Sequence, residues 1–404
     1  MGAVRPARML LPRGADWEKW AVVACDQYTS QPEYWEELDA FVGTAPSTLR
    51  MILPELYLSG NLEEKAEEIC AFMEGYLEEG VFSELDECFI LLERSTPCRP
   101  RRLGLVAAVD LECYDYAAGA KPLIRATEGT IASRIPPRLM IRKNAPVEFP
   151  HVMLLADDAD ERILERLYAE RGGLEKVYDF ELNMGGGHVR GWRVTDTAPV
   201  AAAFEALSDP ARMREKYGED SGFLFAVGDG NHSLAAAKAH WESVKKTLPL
   251  GERAAHPARF ALAEIVSVYD DGICFEPIHR FVTGVDRARF TEGLCAAVRG
   301  NYRIAGGAEQ TAGDVPLPET IRALDAFIED YIRKNGGAVD YVHGETAVRS
   351  LAERDGSSVG ILLGALDKAE LFRFVAAYGA LPKKTFSMGE AFEKRYYIEG
   401  KKIR

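Results

Sequence analysis

Short apolar runs alternate with amphipathic segments along nearly the whole chain, and this alternation restricts the fold more than any other feature. Residues 260–269 and 273–282 have the character of β-strands joined by the turn signal Asp270-Asp271-Gly272. Residues 61–76 and 316–334 instead have the apolar spacing of helices. Interleaved strands and helices are typical of α/β proteins. We therefore predict a mixed α/β (α+β) fold, with mixed sheets and interleaved helices.

The chain has 404 residues, which is more than one ordinary hydrophobic core supports, so more than one packed unit is expected. The small-residue stretch from Ala305 to Gly313 is the best candidate for a linker. This predicts a division into residues 1–304, which contain the principal motif, and residues 305–404, a smaller C-terminal α/β unit packed against the first.

The net charge of −14 disfavours nucleic acids and anionic membranes as general partners, because an acidic surface repels phosphate backbones. The seven cysteines are scattered and odd in number, with no C-x-x-C pair, which predicts neither a disulfide framework nor a zinc site. No run of about 18 apolar residues occurs. We predict a cytoplasmic protein with no membrane and no nucleic-acid partner, whose oligomeric state the sequence leaves open.

A strand-like run at 223–227 leads directly into Gly228-Asp229-Gly230-Asn231-His232-Ser233, and a helical segment follows from Leu234. Unpaired N–H groups at the start of a helix, together with the helix dipole, favour anions. The two glycines allow the backbone to approach a ligand closely. This turn is therefore a candidate phosphate site.

Asp229 and His232 are the candidate chemical groups of this turn. The carboxylate of Asp229 is suited to holding a metal ion or orienting a hydroxyl, and His232 to donating to a phosphoryl oxygen or moving a proton. The alternative is that Asp229, Asn231 and Ser233 only cap the helix. At the end of another apolar run, 21–25, the side chains of residues 26–28 are placed to line a pocket.

Four motifs in order resemble one known family: Glu128-Gly129-Thr130, Asp229-Gly230-Asn231-His232, Pro277-Ile278-His279-Arg280 and Leu381-Pro382-Lys383-Lys384-Thr385. They resemble the bacterial and archaeal family numbered 1015 among the domains of unknown function. Its central motif usually reads Asp-Gly-His-His-Arg, and here Asn231 and Ser233 replace the first His and the Arg. The family motif is in turn similar to that of ParB-like free serine kinases, which bind ADP there and phosphorylate L-serine.

The resemblance implies a ParB/serine-kinase-like core and phosphoserine–serine chemistry, with Mg²⁺ and ADP or ATP as cofactors and a small phosphorylated molecule as substrate. It implies catalytic roles for Glu128, as the base for a hydroxyl proton, and for Asp229 and His232. The implied phosphate- or nucleotide-binding residues are Gly228, Gly230, Asn231, Ser233, His279, Arg280 and Lys384.

Each of these residues also has a structural interpretation. Glu128 is equally suited to bonding local N–H groups in its loop, Arg280 to pairing with nearby acids, and Lys384 to lying in solvent. Replacement of the family's Arg by Ser233 removes a bidentate phosphate clamp, which weakens the case for a nucleotide. No histidine or cysteine spacing typical of a metal site occurs.

Two hypotheses for the function follow. The first is a kinase or phosphatase acting on a small hydroxy amino acid such as serine or phosphoserine. The alternative is a non-catalytic regulatory protein that binds a nucleotide or metabolite. A third interpretation is a scaffold in which the glycine motif only begins a helix.

Overall fold

A computed structural model describes residues 2–117, 119–160, 162–218, 222–306, 309–310 and 314–404. The chain forms two compact units, Met1–Ile273 with Glu390–Arg404, and Cys274–Gly389. The mixed α/β class is confirmed. The boundary predicted between 304 and 305 falls inside the second unit, and residues 307, 308 and 311–313 of the predicted linker lie outside the described residues.

The strands are, in chain order, β1 (Val4–Arg5), β2 (Leu10–Pro12), β3 (Phe82–Glu84), β4 (Phe89–Ser95), β5 (Arg102–Asp110), β6 (Tyr114–Asp115), β7 (Ile124–Ala126), β8 (Val147–Glu148), β9 (Met153–Ala156), β10 (Glu175–Leu182), β11 (Gly187–Val194), β12 (Phe225–Asp229), β13 (Phe260–Ser267), β14 (Phe275–Thr283), β15 (Tyr302–Ile304), β16 (Glu309–Gln310), β17 (Ala338–His343), β18 (Val359–Leu363), β19 (Phe386–Met388) and β20 (Lys401–Lys402). The α-helices are α1 (Trp17–Trp20), α2 (Pro32–Val42), α3 (Leu62–Glu78), α4 (Ile135–Asn144), α5 (Leu164–Glu170), α6 (Thr197–Ala206), α7 (Pro210–Tyr217), α8 (Asn231–Thr247), α9 (Arg287–Ala297), α10 (Leu317–Asn335), α11 (Glu345–Arg354) and α12 (Leu371–Tyr378).

The first unit is built on one mixed sheet with the strand order β10-β11-β4-β5-β13-β9-β12-β7-β6, and β1 pairs with β5. Both faces are covered, as the central strand β5 shows. Its Leu105 and Ala107 belong to one hydrophobic core, and Val106 and Ala108 belong to another. Helix α8 packs into the first core and α3 into the second, so the sheet lies between two helical layers.

Several sequence predictions differ from the structure in instructive ways. The run 21–25 is buried but forms only an isolated bridge, between Val23 and Arg395. The segment 197–217 forms two helices because Pro210 starts a new one, capped by Asp209. The predicted hairpin of 260–282 does not form, since β13 pairs with β5 and β9 while β14 joins the sheet of the second unit.

The last residues of the chain return to the first unit and pass through its core. Strand β20 pairs with β8, and the carbonyl of Ile398 accepts a hydrogen bond from the indole of the buried Trp20 at 3.1 Å. The hydroxyl of Tyr397 bonds to the backbone of Val152, at the start of β9. The C-terminal segment therefore completes the first unit, although it is distant in sequence from the rest of it.

The second unit has a six-stranded antiparallel sheet of its own, with the order β16-β15-β18-β14-β17 and with β19 paired to β14. Its core includes Val282 of β14, Phe290 of α9, Ile321 of α10 and Ile361 of β18, all buried. Among the helices described in both units, none is long and apolar enough to cross a membrane.

A buried ion pair within the main sheet gives a test of this architecture. Nη2 of Arg102 lies 2.8 and 3.0 Å from the two carboxylate oxygens of Glu264, whose side chain is 3% exposed. The change Arg102→Met leaves that carboxylate buried without its cation, so we expect the free energy of unfolding in urea to fall by about 3–5 kcal/mol. Arg101→Met is the control, because Arg101 pairs with Glu165 at the surface, and its loss should cost less than about 1 kcal/mol.

Glu399 in the C-terminal segment predicts a pH dependence of stability. Its side chain is fully buried, Tyr178 donates to it at 2.5 Å, and burial raises its pKa from 4.5 to about 7. The folded state thus holds a proton that the unfolded chain releases, so this stabilisation is present below pH 4.5 and is lost as the pH rises to about 7. Glu399→Gln should remove this decline, which is on the order of 3 kcal/mol, from urea-unfolding profiles. The exposed Glu87→Gln should leave it intact, and an unchanged profile for Glu399→Gln would contradict the assignment.

Candidate functional site

The sheet brings Glu128 and Asp229 to the same edge. Strands β7 and β12 are parallel neighbours, with Ala126 opposite Val227, so their carboxyl ends lie side by side. The hydroxyl of Thr127 donates to the carbonyl of Val227 at 2.6 Å and fastens the loop after β7 to β12. Glu128, which is half-buried, and Asp229 therefore leave adjacent strands at one edge of the sheet.

The turn between β12 and α8 requires glycine at position 230. Its φ is +78°, and a Cβ there would lie 2.2 Å from the carbonyl oxygen of His151. Since Gly230 is the N-cap residue, helix α8 has no side-chain cap. The first helical bond runs from the N–H of Leu234 to the carbonyl of Gly230. Within the described part of the chain, the three preceding N–H groups, of residues 231–233, have no acceptor. Asn231 and Ser233 therefore do not cap the helix, whereas Asp229 accepts from the N–H of Gly230.

Asp229 is held between two basic side chains. Its Oδ2 lies 3.1 Å from Nζ of Lys394 and 3.4 Å from Nε2 of His151, and its Oδ1 accepts from the N–H of Gly230 at 2.8 Å. Burial alone would raise the pKa of Asp229, but the Lys394 ammonium and the His151 hydrogen bond outweigh burial and hold it well below its usual value. Asp229 is therefore an anion whose charge is already balanced by protein groups.

Lys394 is the lysine that contacts Asp229 at this end of the sheet. Burial would lower its pKa, but the attraction of the Asp229 carboxylate outweighs that effect and raises it. Asp26 and Glu128 add to the attraction, so both carboxylates are near enough to act on the ammonium group. Lys394 thus stays charged while its side chain is only 18% exposed.

Both histidines of the site carry a proton on Nδ1. Nε2 of His232 accepts the N–H of Ile131 at 3.2 Å, so in the neutral ring the proton is on Nδ1. Burial lowers the pKa of His232, and the positive charges of Arg138 and Arg134 lower it further, which favours this neutral form. Nδ1 of His151 lies 2.8 Å from the carbonyl of Arg395 and must donate to it. His232 is therefore suited to donating through Nδ1, but its lone pair is already used.

Charged side chains of both signs act on the pKa of His232. Nη2 of Arg138 lies 2.7 Å from Oε1 of Glu55 and 4.0 Å from the sulfur of Cys25. The carboxylates of Glu55 and Asp26, the latter accepting from the side-chain amide of Gln27 at 2.9 Å, both act to raise the pKa of His232. The site thus combines unpaired backbone donors with side chains of both charges.

His279, Arg280 and Lys384 lie in the second unit, where the first two have structural contacts. Nδ1 of the buried His279 accepts the N–H of Leu363 at 3.1 Å. The fully buried Arg280 gives two hydrogen bonds to Asp325, at 2.9 Å each, and three to backbone carbonyls, of Ile278, Lys383 and Lys384.

These contacts support the structural interpretation of Arg280, in which it pairs with a nearby acid, over the phosphate-binding role that the resemblance implies. All five N–H donors of its guanidinium are used within the second unit, so none is left for a phosphate. Lys384 contributes its carbonyl to this arrangement, with a left-handed backbone (φ +55°) and an exposed side chain.

The described residues contain few groups suited to a metal ion. Asp229, the predicted candidate, lies 3.1 Å from the Lys394 ammonium, which already balances the charge that a cation would need. In the second unit, Oε2 of Glu276 lies 2.5 Å from Nε2 of His343, and both residues are metal-ligand types.

Sequence analysis missed the basic side chains of this site. His151 precedes β9, which is antiparallel to β12, and Met153 of β9 is paired with Asp229 itself. Lys394 belongs to the C-terminal segment, and Arg138 to α4. Neither strand pairing nor the return of the chain end is visible in a local pattern, whereas Asp26 carried a signal as the polar end of an apolar run.

The chain belongs to the family described as Protein of unknown function (DUF1015), whose model matches residues 4–370. The match includes Glu128 and the turn from Gly228 to Ser233, and it ends before Lys394. No curated protein matches the chain.

Three solved structures are similar to the chain at low identity. A conserved hypothetical protein from Pyrococcus furiosus has 10% identity and a TM-score of 0.35, over 70% of this chain and 90% of that one. A mutant free serine kinase in complex with ADP has 11% identity and a TM-score of 0.40, over 74% and 92%. SbnI from Staphylococcus aureus, truncated at its C-terminus, has 10% identity and a TM-score of 0.36, over 70% of this chain and 82% of that one. Scores this low support no conclusion about ligand or reaction.

The close approach of Gly230 to His151 can be tested separately from the positive φ. Gly80 also has a positive φ, of +68°, but a Cβ there would meet nothing within 4 Å. We expect Gly80→Ala to lower the free energy of unfolding by about 1 kcal/mol through strain alone. Gly230→Ala should lower it by clearly more, because its Cβ also displaces the backbone at His151. Equal losses in urea unfolding would show that the turn does not need this approach.

Proposed function

We propose that the chain is an enzyme of small-molecule phosphate chemistry, a kinase or phosphatase whose phosphate site is the start of α8. The proposal rests on the donors at this turn. The N–H groups of residues 231–233 have no acceptor within the described chain. The charged Lys394 contacts Asp229, which belongs to the same turn. Backbone donors at a helix start and a partly buried ammonium are the groups that bind phosphoryl oxygens.

The other side chains of the edge fit roles in phosphoryl transfer. Glu128 leaves the strand beside Asp229 and is the candidate base that takes the proton of an attacking hydroxyl or water. His232, neutral and protonated on Nδ1, is the candidate donor to a phosphoryl oxygen. Asp229 would act as a positioning group that fixes the Lys394 ammonium, and not as a ligand of Mg²⁺.

Serine and phosphoserine are the first substrates to test, with ADP or ATP as the nucleotide, because the sequence motifs resemble those of free serine kinases. Mg²⁺, if it is used, would be bound through the phosphates of the nucleotide, as it commonly is. Gly228 and Gly230 would let the backbone approach the phosphate, with Asn231 and Ser233 supplying N–H groups.

Turnover is the direct test of catalysis. Phosphoserine is incubated with ADP and Mg²⁺, and ³¹P NMR distinguishes transfer to ADP from release of inorganic phosphate. For whichever reaction occurs, Glu128→Gln should lower kcat by about 100-fold or more with little change in KM, because the base is lost and not the binding site. The exposed Glu87→Gln is the control. Full activity of Glu128→Gln would remove Glu128 from the mechanism.

Binding of the phosphate is tested independently of turnover. Lys394→Met should weaken the affinity for inorganic phosphate at least tenfold in calorimetric titration, because one charge-assisted hydrogen bond, worth about 1.5–3 kcal/mol, is lost. Lys394→Arg should retain most of the affinity. Lys246→Met is the matched control, since Lys246 is exposed near the other end of α8. Equal affinities for Lys394→Met and Lys246→Met would mean that Lys394 does not hold the phosphate.

A regulatory protein that only binds a nucleotide or metabolite is the alternative. It predicts that ligands raise the melting temperature but are recovered unchanged after long incubation. The presence of a candidate base beside the phosphate site favours the enzyme.

A further inference from the structure

We propose that a cavity beneath the first turns of α8 receives a compact apolar group belonging to the phosphorylated substrate. The inference deepens the proposed function and rests on it, since the cavity would hold the organic part of the molecule whose phosphate lies at the start of the helix. It keeps the phosphate site of the proposed function but replaces phosphoserine with another substrate class, phosphate esters or anhydrides of a small hydrocarbon-like group.

The cavity has a volume of about 140 Å³ and lies within the first unit. Apolar side chains form most of its wall, among them Met51, Leu53, Met73, Phe149, Val152 and Leu262. On the side of α8, the wall is made by Leu234 and by three small residues, Ser233, Ala236 and Ala237. The small side chains on this face of the helix leave room where larger ones would fill the core.

The size and the wall of the cavity define what it can hold. Protein interiors are close-packed and rarely leave spaces much larger than one water molecule. Cavities lined by apolar groups do not hold water well, whereas an apolar cavity of about 150 Å³ binds benzene. The space beneath α8 is therefore suited to a ring or branched chain of about six carbon atoms.

The charged residues in the wall are already paired, which argues against a zwitterionic group in the cavity. Arg138 pairs with Glu55 at 2.7 Å, and Arg142 contacts Glu148. Nε of Arg138 and Nε and Nη2 of Arg142 have no hydrogen-bond partner among the described residues, but they are buried and have no accessible surface to offer a ligand. An amino acid's ammonium and carboxylate would both lose water there without gaining partners, which is costly.

The cavity and the candidate phosphate site share Ser233. Its backbone N–H is one of the three donors at the start of α8, and the residue also lines the cavity. Arg138, whose charge acts on His232, borders the cavity as well, together with Cys25 and Tyr396. A phosphate bound at the helix start would therefore contact Ser233, which also lines the apolar cavity.

Three probes separate the two halves of this site in calorimetric and thermal-shift titrations of the full chain. Toluene tests the cavity, inorganic phosphate tests the helix start, and phenyl phosphate tests both. We expect toluene to raise the melting temperature, and phenyl phosphate to bind at least about tenfold tighter than inorganic phosphate because its ring leaves water. Phosphoserine should bind no tighter than inorganic phosphate.

Filling the cavity should remove only the apolar part of binding. In Ala236→Leu, the toluene shift and the tenfold advantage of phenyl phosphate should both be lost, while the affinity for inorganic phosphate stays the same. Ala239→Leu is the control, because Ala239 lies on the same helix, is half-buried and does not line the cavity. Met73→Phe fills the cavity from the opposite wall and serves if Ala236→Leu does not fold.

The outcomes distinguish the two proposals. If inorganic phosphate binds but toluene has no effect and phenyl phosphate gains nothing, the cavity proposal is overturned and the phosphate site stands. If toluene binds but neither phosphate compound does, the proposed function fails, and with it the assignment of the cavity to a phosphorylated substrate. Tighter binding of phosphoserine than of phenyl phosphate would also overturn the apolar substrate class.

Discussion

The contact of Asp229 with Lys394 and His151 is the interaction on which the candidate site depends. It joins the turn before α8, the start of β9 and the C-terminal segment, three parts of the chain that are far apart in sequence. A carboxylate that is largely removed from water needs such partners, because an unpaired charge there would be strongly destabilising. With these partners in place, Asp229 also accepts from the N–H of Gly230 and fixes the first turn of the helix.

The local part of the fold and of the site was predictable from the sequence. The strand, glycine turn and helix at 223–246 were confirmed as β12 and α8, because each is specified by neighbouring residues. Strands β10 and β11 are also specified locally, since they form a hairpin whose turn contains consecutive glycines. Placing Glu128 beside Asp229, in contrast, needed the parallel pairing of β7 with β12, which no local pattern shows.

The non-local part of the site was not predictable in the same way. A histidine and an arginine at the end of an apolar run suggested ligand binding, yet Arg280 is fully buried with every donor used in its own unit. Lys394 gave no signal, because a lysine near a chain end is usually solvated and only the return of the chain makes it part of a site. The basic groups found near the turn come from α4, from the start of β9 and from the chain end, and not from the position of the family's arginine, where Ser233 stands.

The path of the chain has a consequence for how the protein is made. The first unit is complete only when residues 390–404 have returned to it, and the whole of the second unit is translated before them. Until these residues return, the first unit lacks β20, Tyr397 and the ammonium that neutralises Asp229. A chain that ends before residue 390 would keep the second unit and its core, but its first unit would lack β20 and the cation that balances Asp229.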